Sequence, residues 1–270
     1  MLKKIFFTGD VNKAIKAESS GVERILIDLE ILGKFERQGD RDTRKSILTP
    51  QAIKPVSNAL TSSELMVRIN PLNKMTMSEI DFAITSGAQS IMLPMFEHVS
   101  EVAEFISLVN GRAKTILLLE TKKALASVVE IVALKNIDEL HIGLNDLHLQ
   151  LNSGFMFDLL VDGTVDKIAT ACRANCLPFG IGGVGPIGFE GRLSPVLVLA
   201  AHAYFGSKTV ILSRAFNNIM DHECANFLNA VVTLDKEYER LLNSSDAKKL
   251  ECMEEISKIL GISIGARNER

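Results

Sequence analysis

The segments TILLLE at 115–120 and LHIGLND at 140–146 each run through a short apolar stretch and finish on an acid, Glu120 in the first and Asp146 in the second. They lie about one strand-plus-helix unit apart, so they read as successive strands of a parallel sheet joined by a helical crossover. Closing such a sheet into a barrel brings both carboxylates to the same rim, the end at which barrels of this kind carry their chemistry.

The same grammar repeats in both directions. KKIFFT at 3–8, RILIDLE at 24–30, LMVRIN at 65–70 and SIMLPM at 90–95 precede the pair, and PFGIGGV at 178–184 and TVILSR at 209–214 follow it. Near-continuous hydrophobicity marks strands covered on both faces, and eight such runs with helical patterns between them predict an α/β fold, a (β/α)8 TIM barrel. One such pattern is EHVSEVAEFISLVNGR at 97–112, with Val102, Phe105, Ile106 and Val109 on one face and Gly111 placed to stop the helix.

The barrel is expected over residues 1–243, closed by a helix at 222–242 that faces the core with Phe227, Val231, Leu234, Tyr238 and Leu241. Residues 244–270 are expected to form an additional C-terminal helical arm, its helix at 246–260 following the break NSSD. Its stripe of Leu250, Met253, Ile256 and Leu260 would pack on this subunit or on a neighbouring one. The gaps at 31–64 and 147–177 are longer than the rest, and extra length after a strand usually serves the active site.

Composition excludes several classes of function. At 270 residues, 47% hydrophobic and 6% aromatic, the chain suits one sizeable domain. A net charge of -3 and a pI near 6.0 leave no electrostatic footprint for nucleic acid or an anionic membrane. No apolar run approaches the ~20 residues that span a bilayer, and MLKKIFFTGD turns polar too early for a signal peptide. A cytoplasmic protein is expected, with Cys172, Cys176, Cys224 and Cys252 as reduced thiols, since none has zinc-site spacing. There is also no Walker loop, HExxH or GxSxG.

The chemistry is expected at the strand ends. Magnesium or manganese is often held by one or two carboxylates with water and substrate completing the shell, and Glu120 with Asp146 would supply that pair. The structural alternative is that such acids cap the helices that follow, as Asp146 before LHLQL would. Arg68, ending the third run, offers a planar fork for a carboxylate or phosphate, or else a structural ion pair. The glycine-rich FGIGGVGPIG at 179–188, including Gly182, Gly183 and Gly185, together with Arg214, suits an anionic or phosphorylated group. Asp28 and Glu30 end the second run, and Arg37, Gln38, Asp40, Arg41 and Arg44 in the charged loop beyond it are placed to fold over a substrate. Of the histidines, His148 lies near the rim, whereas His141 and His202 read as packing residues.

In their order and spacing, D-L-E, V-R-I-N, I-M-L-P-M, L-L-L-E-T and G-L-N-D-L resemble the HpcH/HpaI aldolase and citrate lyase beta-subunit family, built on the pyruvate-kinase-like barrel. The resemblance runs from about residue 3 to 216 and implies a metal-stabilised enolate. By position, Glu120 and Asp146 match the metal carboxylates, Arg68 matches the arginine holding the oxo-acid or enolate oxygen, and Pro94 and Met95 line the site. The aldolase branch follows D-x-E with a histidine and the lyase branch with a further acid, whereas this chain has Ile31. Asp28, Glu30, Asp40 and His148 are the candidates to replace that base.

The expected activity is a metal-dependent carbon–carbon lyase of the aldolase type on a 2-oxo acid, with an aldehyde partner that is a sugar acid or a phosphorylated compound. The alternatives are an acyl-CoA lyase or thioesterase and a non-catalytic metal and oxo-acid binding barrel. The resemblance also implies a homo-oligomer.

Overall fold

The computed structural model describes residues 2–33, 48–222 and 224–264, and the eight strands close into one parallel barrel in chain order. The strands are β1 (Lys3–Phe7), β2 (Arg24–Asp28), β3 (Glu64–Arg68), β4 (Ser90–Leu93), β5 (Lys114–Leu119), β6 (Glu139–Ile142), β7 (Phe179–Val184) and β8 (Thr209–Leu212). The fold is a (β/α)8 TIM barrel with an extra C-terminal helix. No helix among the described residues is long and apolar enough to cross a membrane.

Alternate residues of a strand face opposite sides, and here both sides are apolar. Ile5, Leu26, Met66, Met92, Ile116 and Leu118 fill the barrel interior. Their neighbours Phe6, Ile25, Val67, Leu93, Leu117 and Ile142 join the larger shell under the helices. Two apolar faces explain the continuous hydrophobic runs. They also fix which polar residues enter the barrel, because Arg24, Leu26 and Asp28 share one face, as do Glu64, Met66 and Arg68.

The helices before β6 are α1 (Val11–Ser19), α2 (Ile53–Ala59), α3 (Thr76–Thr85), α4 (Val99–Val109), α5 (Lys122–Ala126) and α6 (Val128–Val132). Beyond β6 come α7 (Leu144–Gln150), α8 (Thr164–Ala174), α9 (Pro195–Phe205), α10 (Arg214–His222), α11 (Cys224–Leu242) and α12 (Asp246–Leu260). In α4 the left-handed cap is Asn110, at φ 48, one residue before the expected Gly111. All five core-facing residues expected of α11 are buried. The helix α12 packs on α9 of the same chain, burying Met253, Ile256 and Leu260, while Leu250 stays 39% exposed.

Every strand but β7 ends earlier than the apolar run that marks it. β6 stops at Ile142, so Gly143 caps α7 and Asp146 stands in the first turn of that helix, not at a strand end. A carboxylate there interacts favourably with the N-terminal dipole, but Gly143 occupies the cap position itself.

The base of the barrel is polar. Arg24 Nη1 bonds both oxygens of Glu139 at 3.1 and 3.0 Å, its Nε lies 3.1 Å from Glu64 Oε1, and the Thr209 hydroxyl donates to Glu139 at 2.9 Å. Both Arg24 and Glu139 are buried. Removing one partner of such a pair strands the other charge, so Arg24→Ala is expected to lower stability by about 3–5 kcal/mol. Denaturant unfolding checks this, and a loss below about 1 kcal/mol would show that the pair is effectively solvated.

Candidate active site

The top layer of the barrel is built around Arg68. Its Nε and Nη2 donate to Oδ1 and Oδ2 of Asp28 at 2.9 and 2.8 Å, and Nη2 lies 3.4 Å from Glu30 Oε2. The fork is possible because β2 and β3 pair Asp28 directly opposite Arg68. Below the guanidinium lies the ring of Phe7, with its centroid 5.6 Å away, a geometry that favours a cation. Burial works against the arginine's charge, but Asp28 and Glu30, with Glu120 further off, more than offset it and raise the pKa above the usual arginine value.

Asp28 is therefore an orienting group. Both its oxygens accept from Arg68, and Oδ1 also accepts from the Glu30 N–H at 3.1 Å. Glu30 is buried beside it.

Glu120 follows β5 and is 3% exposed. Its Oε1 accepts from the Met95 N–H at 3.1 Å. Met95 can present that N–H because its backbone adopts φ 54, a costly conformation for a bulky residue. The turn Pro94–Phe96 is also fastened by the Thr121 hydroxyl, which donates to the Phe96 carbonyl at 2.7 Å. Successive residues of the L-E-T segment thus grip the end of β4. The other oxygen, Oε2, lies over Gly143, where a Cβ would come within 2.8 Å of it.

Glu120 follows the end of β5 and Asp146 lies in the first turn of α7, beyond the neighbouring strand β6, and both are buried. Among the described residues no three His, Cys, Asp or Glu side chains cluster as a metal site. A pair of carboxylates with few other protein ligands fits magnesium or manganese, which accept hard oxygen donors and keep waters. By residue type, Glu120 and Asp146 could supply such a pair.

The remaining expected residues fall in several places. His148 is half-buried on α7, and its Nδ1 is 3.2 Å from the Leu144 carbonyl of its own helix. Two residues apart on a helix, it and Asp146 do not share a face. Arg214 is exposed at the start of α10, and Gly182 and Gly183 lie at the end of β7. The loop residues Arg37, Gln38, Asp40, Arg41 and Arg44 lie outside the described residues.

Ile31 is 42% exposed. Its N–H and that of Leu32 donate to Asn70 Oδ1 at 2.8 and 3.0 Å, and Asn70 in turn donates to Glu79. Phe7, Asn70 and Gly143 were not singled out by the sequence. Only Gly143 left a signal, as a glycine inside an otherwise apolar strand run.

The model of the HpcH/HpaI aldolase/citrate lyase family matches residues 5–177. A search of curated proteins finds no match. Among solved structures, an HpcH/HpaI aldolase/citrate lyase family protein from Burkholderia cenocepacia J2315 is 15% identical with a TM-score of 0.64, over 84% of this chain and 94% of its own. An HpcH/HpaI aldolase from Desulfitobacterium hafniense DCB-2 is 13% identical with a TM-score of 0.63, over 83% and 92%. Mycobacterium tuberculosis CitE, in complex with magnesium and acetate, is 15% identical with a TM-score of 0.60, over 94% and 97%. At these identities the structural matches show the fold alone.

A methyl group at Gly143 would collide with the Glu120 side chain. Gly143→Ala is expected to cost about 1–3 kcal/mol, as overpacking does, and to move the carboxylate off the Met95 N–H. Unfolding measurements and a crystal structure of the variant check both. Unchanged stability with Glu120 in place would refute the constraint.

Proposed function

The chain belongs to the HpcH/HpaI aldolase/citrate lyase family, and from that premise we propose that it is a divalent-metal-dependent carbon–carbon lyase of the aldolase type acting on a 2-oxo acid. The observation that carries this reading is one fixed guanidinium and one fixed carboxylate in the same top layer: Arg68 forked onto Asp28, and Glu120 held by the Met95 N–H. The magnesium bound by CitE supports the same choice of ion here.

Magnesium or manganese held by Glu120 and Asp146 would supply Lewis-acid polarisation of a 2-oxo acid. The protein's own contribution is preorganisation. Arg68 presents a charge that cannot be lost at any working pH, held rigid by Asp28 and Phe7, to an oxygen that gains negative charge as the carbon–carbon bond breaks. Pro94 and Met95 form the adjoining wall, and the glycine segment at the end of β7, with Arg214, receives the distal end of the substrate. The aldehyde released or consumed is a sugar acid or a phosphorylated compound.

A second reading is favoured by a specific observation. Asp28 is committed to Arg68, and Ile31 has no proton to give or take, which suits a barrel that binds an oxo acid and metal without turnover.

One experiment separates the two. Pyruvate in deuterated water with the protein and magnesium is expected to lose its methyl proton signal by NMR, with exchange abolished by a chelator and by Glu120→Gln. Exchange that survives both would overturn the metal assignment. Metal-dependent pyruvate binding with no exchange would favour the binding barrel.

A further inference from the structure

The sequence presents His141 as a packing residue, but its surroundings give it a directed role. It lies on the inward face of β6, fully buried between the base layer of Arg24 and Glu139 and the top layer of Arg68. Its Nε2 is 3.1 Å from the carbonyl oxygen of Gly182, and its Nδ1 has no hydrogen-bond partner among the described residues. A carbonyl only accepts, so Nε2 carries the proton. Burial, the largest influence on the ring, lowers its pKa below that of ordinary imidazole, and the nearby Glu139 and Gly182 carbonyl only partly oppose this.

Strand β7 is shaped to receive this ring. A Cβ at Gly180 would collide with the His141 imidazole and the Thr209 hydroxyl, and one at Gly182 would collide with Leu144. The pairing of β7 with β8 shifts register between Gly180 and Gly183, and Gly182 sits at φ 34. A regular strand directs its carbonyls to its neighbours. The Gly182 carbonyl also meets a side chain from inside the barrel, at the point where the pairing with β8 slips. A trans peptide places C=O and the following N–H on opposite sides, so the Gly183 N–H points away from the buried ring.

We propose that His141 is a positioning residue for substrate: by holding the Gly182 carbonyl it keeps β7 bulged and aims the Gly183 N–H at the mouth of the barrel, where it meets an anionic group of the substrate. The assignment rests on the reading of the mouth as an oxo-acid site. His141 touches neither substrate nor metal in this scheme. Its influence runs through one peptide group.

The test uses oxalate, a dianionic mimic of a pyruvate enolate, titrated calorimetrically into the manganese-loaded protein. His141→Leu is expected to weaken oxalate binding about tenfold, as expected for one lost buried hydrogen bond, with manganese affinity measured separately and unchanged. His141→Gln, whose amide can still donate to the carbonyl, is expected to recover binding to within about threefold of wild type. Should the variants fail to fold, nitrogen NMR of the wild-type protein decides. A neutral, Nε2-protonated ring from pH 5 to 8 with a coupling across the hydrogen bond to Gly182 is the expected result, and an Nδ1-protonated or charged ring would overturn the assignment. Oxalate affinity within twofold of wild type in folded His141→Leu would overturn it too. If wild-type protein with manganese bound no oxalate, the oxo-acid reading itself would fall, and this assignment with it.

Discussion

The mouth of this barrel depends on the pairing of Arg68 with Asp28. A guanidinium inside a closed barrel is tolerable only if its charge is met by well-placed acceptors, and the direct register of β2 against β3 meets it with two hydrogen bonds. Once that fork is fixed, the Phe7 ring has a flat cation to support and Glu30 has a charge beside which it can be buried. The cost is borne by Asp28, both of whose oxygens are committed to the arginine. The rest of the top layer follows from the same need to immobilise charge. Glu120 is fastened by a strained backbone at Met95 and confined by the absence of a side chain at Gly143.

The architecture was legible because two apolar faces per strand produce runs that no amphipathic helix imitates. The same feature blurred the boundaries. Hydrophobic residues continue past the last ladder bond, so the apolar pattern overran the ends of most strands, most visibly at Leu144, which belongs to α7 although it reads as part of β6. Pro94 ends β4 because it has no N–H to give the ladder. The terminal helices were read at nearly their observed bounds, since their periodicity is that of a single buried stripe and their breaks are polar.

The candidate site was legible where its geometry rests on side-chain identity and hidden where it rests on backbone direction. Arg68, Asp28 and Glu120 announce themselves as charges at the ends of apolar runs. A left-handed methionine does not, because nothing in the letters Leu-Pro-Met signals a positive φ. His141 was passed over for a related reason: its partner is a carbonyl displaced by a bulge, and bulges arise from register, which a single strand does not encode. The glycines of β7 looked like an anion-binding loop, whereas Gly180 is explained by the space that the imidazole and Thr209 occupy.

Position 31 shows how fold and catalysis come apart in such a barrel. The aldolase branch resembled by the sequence places a histidine there, where this chain has isoleucine. Here the backbone at 31 and 32 is held by Asn70, and Asn70 is held by Glu79, so the turn is specified without any help from the side chain it carries. The side chain itself is substantially exposed and packs no core. Changing it therefore removes an acid–base group at almost no structural cost, while Arg68 and Glu120 keep geometries fixed by independent contacts. A barrel organised this way keeps its rim geometry when the residue at this position changes, so architecture and side-chain chemistry can diverge between proteins that share one fold.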